Sequence, residues 1–267
     1  MNLKYGKYDI EGVDINIVHC KSALSRSGLE SDYSINPYRG CIHGCSYCYA
    51  PFVIREERDW GEFVDVKRNI ANVLVKELKK LDKGTVRIGS VTDPYQIVEE
   101  NYELTRMCLH QLKKKNFPVI LQTKSNLVTR DIDIFSEIDI DVGLTITSLD
   151  DNFKRMYENN SPSVNDRLKA VEELIENRIS TWVFIGPLIP YENDDYESLM
   201  ELKETLDSLG VKEIYIDKLN MRDGIWKKFE KILDDRRLER LRKIFFGKED
   251  YFEDKKDVFS NFGKVVY

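Results

Sequence analysis

An alternation running along the chain constrains the fold most. Short apolar runs rich in Val, Ile, Thr and aromatic residues recur, separated by longer amphipathic stretches. The runs read as strands at Val86–Ser90, Pro118–Gln122, Val142–Thr147, Thr181–Ile185 and Glu213–Ile216, with a first one near Tyr33–Asn36. Their composition is that of strands buried on both faces of a parallel sheet. Between them lie helical patterns. In Val66–Leu81, the residues Ile70, Val73, Leu74, Leu78 and Leu81 share one helix face, and Lys76, Glu77, Lys79 and Lys80 fall mostly outside it. Val164–Ile175 repeats the pattern through Val164, Leu168, Val171, Leu174 and Ile175, and Ser198–Leu209 through Leu199, Leu202, Leu206 and Leu209, with Gly210 as the C-cap.

Strand–helix–strand repetition implies right-handed crossovers and a parallel sheet. Six such units make either an incomplete barrel or an open doubly wound sheet, and periodicity does not choose between them. In both, the loops at the carboxyl ends of the strands carry the chemistry. That rule gathers the cysteine loop, Thr92–Gln96, Thr123–Asn126, Thr147–Asp150 and Pro187–Asn193 around one mouth. The length of 267 residues suits a single α/β domain, with a core at about 33–220 and a C-terminal helical extension at 221–267.

Charge and cysteine usage narrow the class. A net charge of −6 leaves no overall electrostatic footprint for nucleic acid. No run approaches the roughly 18 apolar residues of a membrane span, and Met1–Glu11 is polar where a secretory signal would be apolar. The expected setting is the reducing cytoplasm, where clustered cysteines bind metal or do chemistry rather than form disulfides.

Three of the five cysteines lie in one loop, Asn36-Pro37-Tyr38-Arg39-Gly40-Cys41-Ile42-His43-Gly44-Cys45-Ser46-Tyr47-Cys48-Tyr49. Three soft thiolates in a compact turn, with Gly40 and Gly44 permitting tight backbone, suit iron–sulfur ligation. A four-iron cube held by three cysteines keeps one iron open, and an open position marks a catalytic metal site. Structural zinc is the competing reading. It usually recruits four ligands from two pairs; no second pair exists, and His43 between two cysteines is awkwardly placed to close the set. Cys20, Cys108, His19 and His110 have no ligand spacing.

Cys41-x₃-Cys45-x₂-Cys48 with Tyr47 before the last cysteine resembles the signature of the radical S-adenosylmethionine (SAM) superfamily. The flanks, together with Gly89-Ser90-Val91-Thr92-Asp93-Pro94-Tyr95-Gln96, Thr123-Lys124-Ser125 and Pro187-Leu188-Ile189-Pro190, are similar to the branch related to spore photoproduct lyase. The resemblance covers roughly Asn36 to Asp217 and implies a partial (β/α)₆ TIM-like barrel. It also implies a [4Fe–4S] cluster on Cys41, Cys45 and Cys48, SAM as cofactor, and an electron donor such as a ferredoxin or flavodoxin. The implied reaction cleaves SAM reductively to methionine and a 5′-deoxyadenosyl radical that abstracts hydrogen from substrate.

By the same resemblance Tyr47 lies beside the adenine, Thr92 and Asp93 meet the SAM ammonium, and Lys124 faces its carboxylate. Thr147 and Ser148 suit the ribose, Arg167 reaches back from its helix, and Leu188 presses on the adenine. The plainer readings are a cap pair for Thr92 and Asp93, turn chemistry for Thr147 and Ser148, an ion pair with Glu172 for Arg167, and packing for Leu188.

Ser90-Val91-Thr92-Asp93 lacks the hydrogen-donating cysteine that the lyase carries there, so photoproduct repair itself is not expected. Tyr49 matches an aromatic of that enzyme's relay. A basic stretch containing Lys227, Lys228, Lys231, Arg236, Arg237, Arg240, Arg242 and Lys243 keeps a nucleic-acid substrate open, although a solvated amphipathic helix is the commoner meaning of such a pattern. A non-enzymatic metal or redox-sensing module is the alternative from another class.

Overall fold

The computed structural model describes residues 10, 12–28, 31–247 and 250–267. Its strands, in chain order, are β1 (Asp14–Val18), β2 (Leu24–Arg26), β3 (Tyr33–Ile35), β4 (Tyr38–Arg39), β5 (Phe63–Lys67), β6 (Val86–Ile88), β7 (Val119–Thr123), β8 (Ile140–Thr145), β9 (Ser180–Leu188), β10 (Glu213–Lys218) and β11 (Lys264–Val265). Strands β3, β6, β7, β8, β9 and β10 lie side by side in that order, each neighbouring pair parallel. These are the six strands the alternation predicts. Helices Leu104–Lys115, Val164–Glu176 and Tyr196–Ser208 occupy three of the crossovers.

The sheet does not close on itself. Antiparallel β2 ends it beside β3, and parallel β11 ends it beside β10. The architecture is a partial (β/α)₆ barrel of the TIM type.

Side chains alternate along the strands, and the two sets have different fates. Val86 and Ile88, Val142 and Leu144, and Val183 and Ile185 join one buried core with Leu109, Leu112, Val171, Leu174, Leu202 and Leu206 of the helices. Each fully buried Leu or Val contributes roughly 1.5–3 kcal/mol, so this layer holds helices to sheet. The intervening Arg87, Gln122, Thr145, Phe184 and Tyr215 line the barrel's interior, together with Trp182. A closed TIM barrel fills this space with branched apolar side chains; here polar and aromatic groups leave a cavity of about 1400 Å³.

Several elements depart from the sequence reading. Phe63–Lys67 is a strand rather than the lead-in to a helix, because Val64 and Val66 pair with Ile15 and Ile17 of β1 and are fully buried. The helix that follows is confined to Ile70–Glu77. Strand β8 starts and ends two residues earlier than the apolar run suggested. The C-terminal extension carries the expected helices, at Asp223–Ile232, Asp235–Phe246, Tyr251–Asp254 and Lys256–Ser260, and then adds β11 to the barrel sheet. No helix among the described residues is long and apolar enough to cross a membrane.

Gly143 shows how tightly one wall is packed: a Cβ there would lie 2.3 Å from the Trp182 ring. Gly143→Ala is therefore expected to destabilise the protein by about 1–3 kcal/mol in denaturant melts. Gly28→Ala, with nothing within 4 Å of the new methyl, is the control and should be nearly neutral. Equal stability of the two variants would contradict this packing.

Candidate active site

The loop between β4 and the helix Ala50–Val53 brings Cys41, Cys45 and Cys48 to the carboxyl end of the barrel, where all three line the cavity. Its shape depends on glycine. Gly40 has φ +89°, and a Cβ would meet the Phe63 carbonyl oxygen at 2.3 Å. Gly44 has φ +56° and abuts Gly61, so both positions exclude larger residues.

Side chains from the loop after β6 pin this turn. Thr92 donates its hydroxyl to the Gly40 carbonyl at 2.5 Å. Gln96 accepts from the Ile42 N–H at 2.9 Å and donates to the Gly40 carbonyl and to Thr92 Oγ1. Asp93 works between loops. Its Oδ1 accepts from the Thr123 hydroxyl at 2.6 Å and from the Tyr95 N–H, and its Oδ2 accepts from the Lys124 N–H at 2.8 Å. His43 Nδ1 lies 3.4 Å from the same Oδ2. Burial lowers the His43 pKa, which favours the neutral ring, while Asp93 opposes that shift.

Behind the cysteines stands a carboxylate that sequence reasoning missed. Glu158 is almost wholly buried and accepts from the Tyr47 hydroxyl and, at 2.8 Å, from the Thr147 hydroxyl. Arg167 lies 2.5 Å from its other oxygen. Burial alone would raise the Glu158 pKa, but Arg167 and Lys124 outweigh it and hold the carboxyl down at about 2. Lys124 Nζ lies 5.5 Å from the centre of the Tyr47 ring. Burial disfavours the Lys124 charge, and the neighbouring Cys45 and Glu158 more than restore it.

The structure thus brings Tyr47, Thr92, Asp93 and Lys124 onto the cavity wall with the three cysteines. The remaining four residues do not line it. Thr147 and Arg167 serve Glu158 from behind, so Arg167 takes a buried partner and not the exposed Glu172. Ser148 accepts from the Asp150 N–H in a turn, and Leu188 is fully buried in the core, its carbonyl accepting from the Leu219 N–H. Tyr49, 45% exposed, lines the cavity and donates its hydroxyl to the Ser90 carbonyl at 2.7 Å. No spacing in the chain marks Glu158, which lies 111 positions from Tyr47.

The donor set fits a cluster. All three thiols are free. Burial raises the pKa of each, Cys45 to about 12, so iron must displace protons to bind. The protein supplies what thiolates need: the Asp93 N–H faces the Cys41 sulfur, the Ala50 N–H faces that of Cys48, and the charge of Lys124 favours ionised Cys45 and Cys48. Among the described residues no three His, Cys, Asp or Glu side chains converge on a one-ion position.

Comparison with known proteins agrees with this geometry. The radical SAM superfamily model matches residues 35–202. The chain belongs to the radical SAM superfamily. It is 42% identical to an uncharacterized protein of Methanocaldococcus jannaschii over 161 residues, 59% of this chain and 61% of that one. The chain thus spans less than two thirds of that relative's length. It is 24% identical over 253 residues to the spore photoproduct lyase of Clostridium acetobutylicum, covering 89% of this chain and 68% of the lyase. Among solved structures, a spore photoproduct lyase complexed with dinucleoside spore photoproduct shares the fold with a TM-score of 0.74 and 14% identity, over 95% of this chain and 82% of that one.

Glu158 generates a prediction with a defined sign. Its carboxyl, ordinarily at 4.5, is held near 2, so its contribution to stability is present above about pH 4.5 and is lost as pH falls toward 2. Glu158→Gln should cost about 3–5 kcal/mol near neutral pH, since it strands Arg167 in the interior. It should also flatten the fall in stability between pH 4.5 and 2. Denaturant melts across that range test both; a variant with the wild-type acid dependence would contradict the assignment.

Proposed function

We propose that the chain is a radical SAM enzyme in which Cys41, Cys45 and Cys48 hold a [4Fe–4S] cluster and SAM occupies the cavity beside them. The observation that carries this reading is that the three thiols open onto one cavity with Asp93 and Lys124. When bound, such a cluster supplies the electron that splits SAM into methionine and a 5′-deoxyadenosyl radical, which takes a hydrogen atom from substrate.

The chain's own residues have separable tasks in this reading. Lys124 presents a fixed positive charge to the SAM carboxylate. The Asp93 oxygens and the neighbouring Thr92 face the ammonium group, and the Tyr47 ring, its hydroxyl engaged by Glu158, offers a flat surface for the adenine. Thr147 and Arg167 act one layer back by holding Glu158. Ser148, in the turn after β8, and Leu188, in the core at the end of β9, lie off the cavity wall, so in this reading they shape the ribose and adenine ends of the site from behind and do not touch the cofactor. The electron comes from an external one-electron protein donor of the ferredoxin or flavodoxin kind. The substrate enters the polar and aromatic lumen lined by Trp182, Phe184, Tyr215 and Asp217.

A second reading makes the substrate a nucleic acid. Residues 222–247 hold nine basic residues against five acidic ones, the reverse of the chain's balance. Arg240 lies over the exposed Tyr191 ring, and Arg242 over Trp226, which meets exposed Phe246. Cations stacked on exposed aromatics suit a single strand. Binding of oligonucleotides that weakens steeply with salt supports this reading, and salt-independent or absent binding removes it.

The enzymatic reading is tested anaerobically. Protein reconstituted with iron and sulfide, reduced and given SAM should release 5′-deoxyadenosine, and a Cys41/Cys45/Cys48→Ala triple variant should release none. Lys124→Ala should weaken SAM binding about tenfold or more without preventing cluster assembly. Uptake of zinc with refusal of iron would sink the reading. A loaded, reducible cluster that never cleaves SAM would favour the non-enzymatic redox module.

A further inference from the structure

Two buried polar groups near the cysteine loop make no well-formed hydrogen bond. The Trp60 Nε1 and the Lys228 Nζ are both sealed from solvent and both unbonded. A buried donor left so is costly, and more so when charged. Such groups call for a better acceptor than a neutral thiol.

Their positions indicate one. Trp60 packs with Cys41, Ala50 and Phe63, with Cys48 against the group, and it lines the cavity. Its N–H faces the Cys48 sulfur without making a well-formed hydrogen bond. Lys228 is on the helix Asp223–Ile232. That helix's Ile225 and Phe229 share a packed group with Cys45 and Tyr47, and its charge acts on Cys48.

A neutral thiol accepts a hydrogen bond weakly. A thiolate on iron accepts strongly, and more strongly once an added electron raises the negative charge on the cluster. We propose that Trp60 and Lys228 are positioning residues for the Cys48 corner of the cluster, donating an N–H and a positive charge that favour its reduced state and raise its reduction potential. The inference rests on the reading of the three cysteines as cluster ligands. The step concerned is transfer of one electron from the external donor, with no bond made or broken. It gives the C-terminal extension a task at the active site, because Lys228 lies outside the barrel core.

The test compares wild type, Trp60→Phe, Lys228→Met and Lys228→Arg, each reconstituted and matched for iron and sulfide. Midpoint potentials come from redox titrations followed by electron paramagnetic resonance. At a fixed potential, Trp60→Phe and Lys228→Met should each shift the oxidised-to-reduced ratio about tenfold toward oxidised, a lowering of about 59 mV for one electron. Lys228→Arg should recover most of that shift. In deuterium-exchange double-resonance spectra, the reduced wild type should show an exchangeable proton coupling that Trp60→Phe lacks. Unmoved potentials in fully loaded variants would overturn the inference. So would loss of the cluster from a folded variant, which would make these residues builders of the site instead of modulators. Failure of the wild type itself to take up iron would strike the cysteine reading first, and the inference with it.

Discussion

A carboxylate without solvent stays ionised here because two cations and two hydroxyls surround it. Glu158 meets Arg167, is held down further by Lys124, and accepts from Tyr47 and Thr147. Those partners come from the cysteine loop, the end of β7, the end of β8 and the helix Val164–Glu176. Asn193, from the loop after β9, reaches the same knot by donating to the Thr147 carbonyl at 3.0 Å. Buried ion pairs add little net stability compared with apolar packing, but breaking one is costly. The knot's role in this fold is accordingly positional. It ties the cysteine turn to the barrel and orients the Tyr47 ring and the Lys124 charge that face the cavity.

Asp93, Thr92 and Gln96 do the corresponding work on the other side. Their hydrogen bonds join the loops after β4, β6 and β7, so that the three thiols sit on a frame assembled from several strand ends. Such sites on rigid elements hold their geometry better than sites on free loops. The lumen below is open because glycine, glutamine and aromatic residues stand where a closed barrel has branched apolar ones. The same alternation that builds a dry helix-facing core therefore also builds a wet interior large enough for a cofactor and a substrate.

The C-terminal extension joins that interior instead of trailing from it. Tyr251 donates to Asp194 at 2.5 Å, β11 lengthens the sheet, and Phe245, Tyr251 and Phe252 line the cavity. Ile225, Phe229, Leu233 and Leu241 cover the cysteine side of the barrel. The basic face of these helices is partly engaged: Arg237 lies near Glu192 and Asp234, and Lys243 near Glu239. Lys227, Lys231 and Arg236 on the same helices are exposed to solvent.

The six parallel barrel strands, the helix stripes and the cysteine loop were legible in the chain because each is a local pattern, while the order of the strands was left open by periodicity. Period-two and period-3.6 spacing follow from backbone geometry, and three cysteines within one turn need no distant partner to be noticed. Strands β1, β4 and β11 lie outside that alternation and were not read from the sequence; they gain strand character from the partners they pair with. Of the eight side chains assigned to SAM by resemblance, folding put four on the cavity wall and four behind or beside it. Glu158 and Trp60 were not singled out beforehand, and Lys228 was read only as part of a basic stretch. A buried charge or an unbonded indole is defined by which neighbours arrive from far along the chain, and that arrangement exists only once the strands have taken their places.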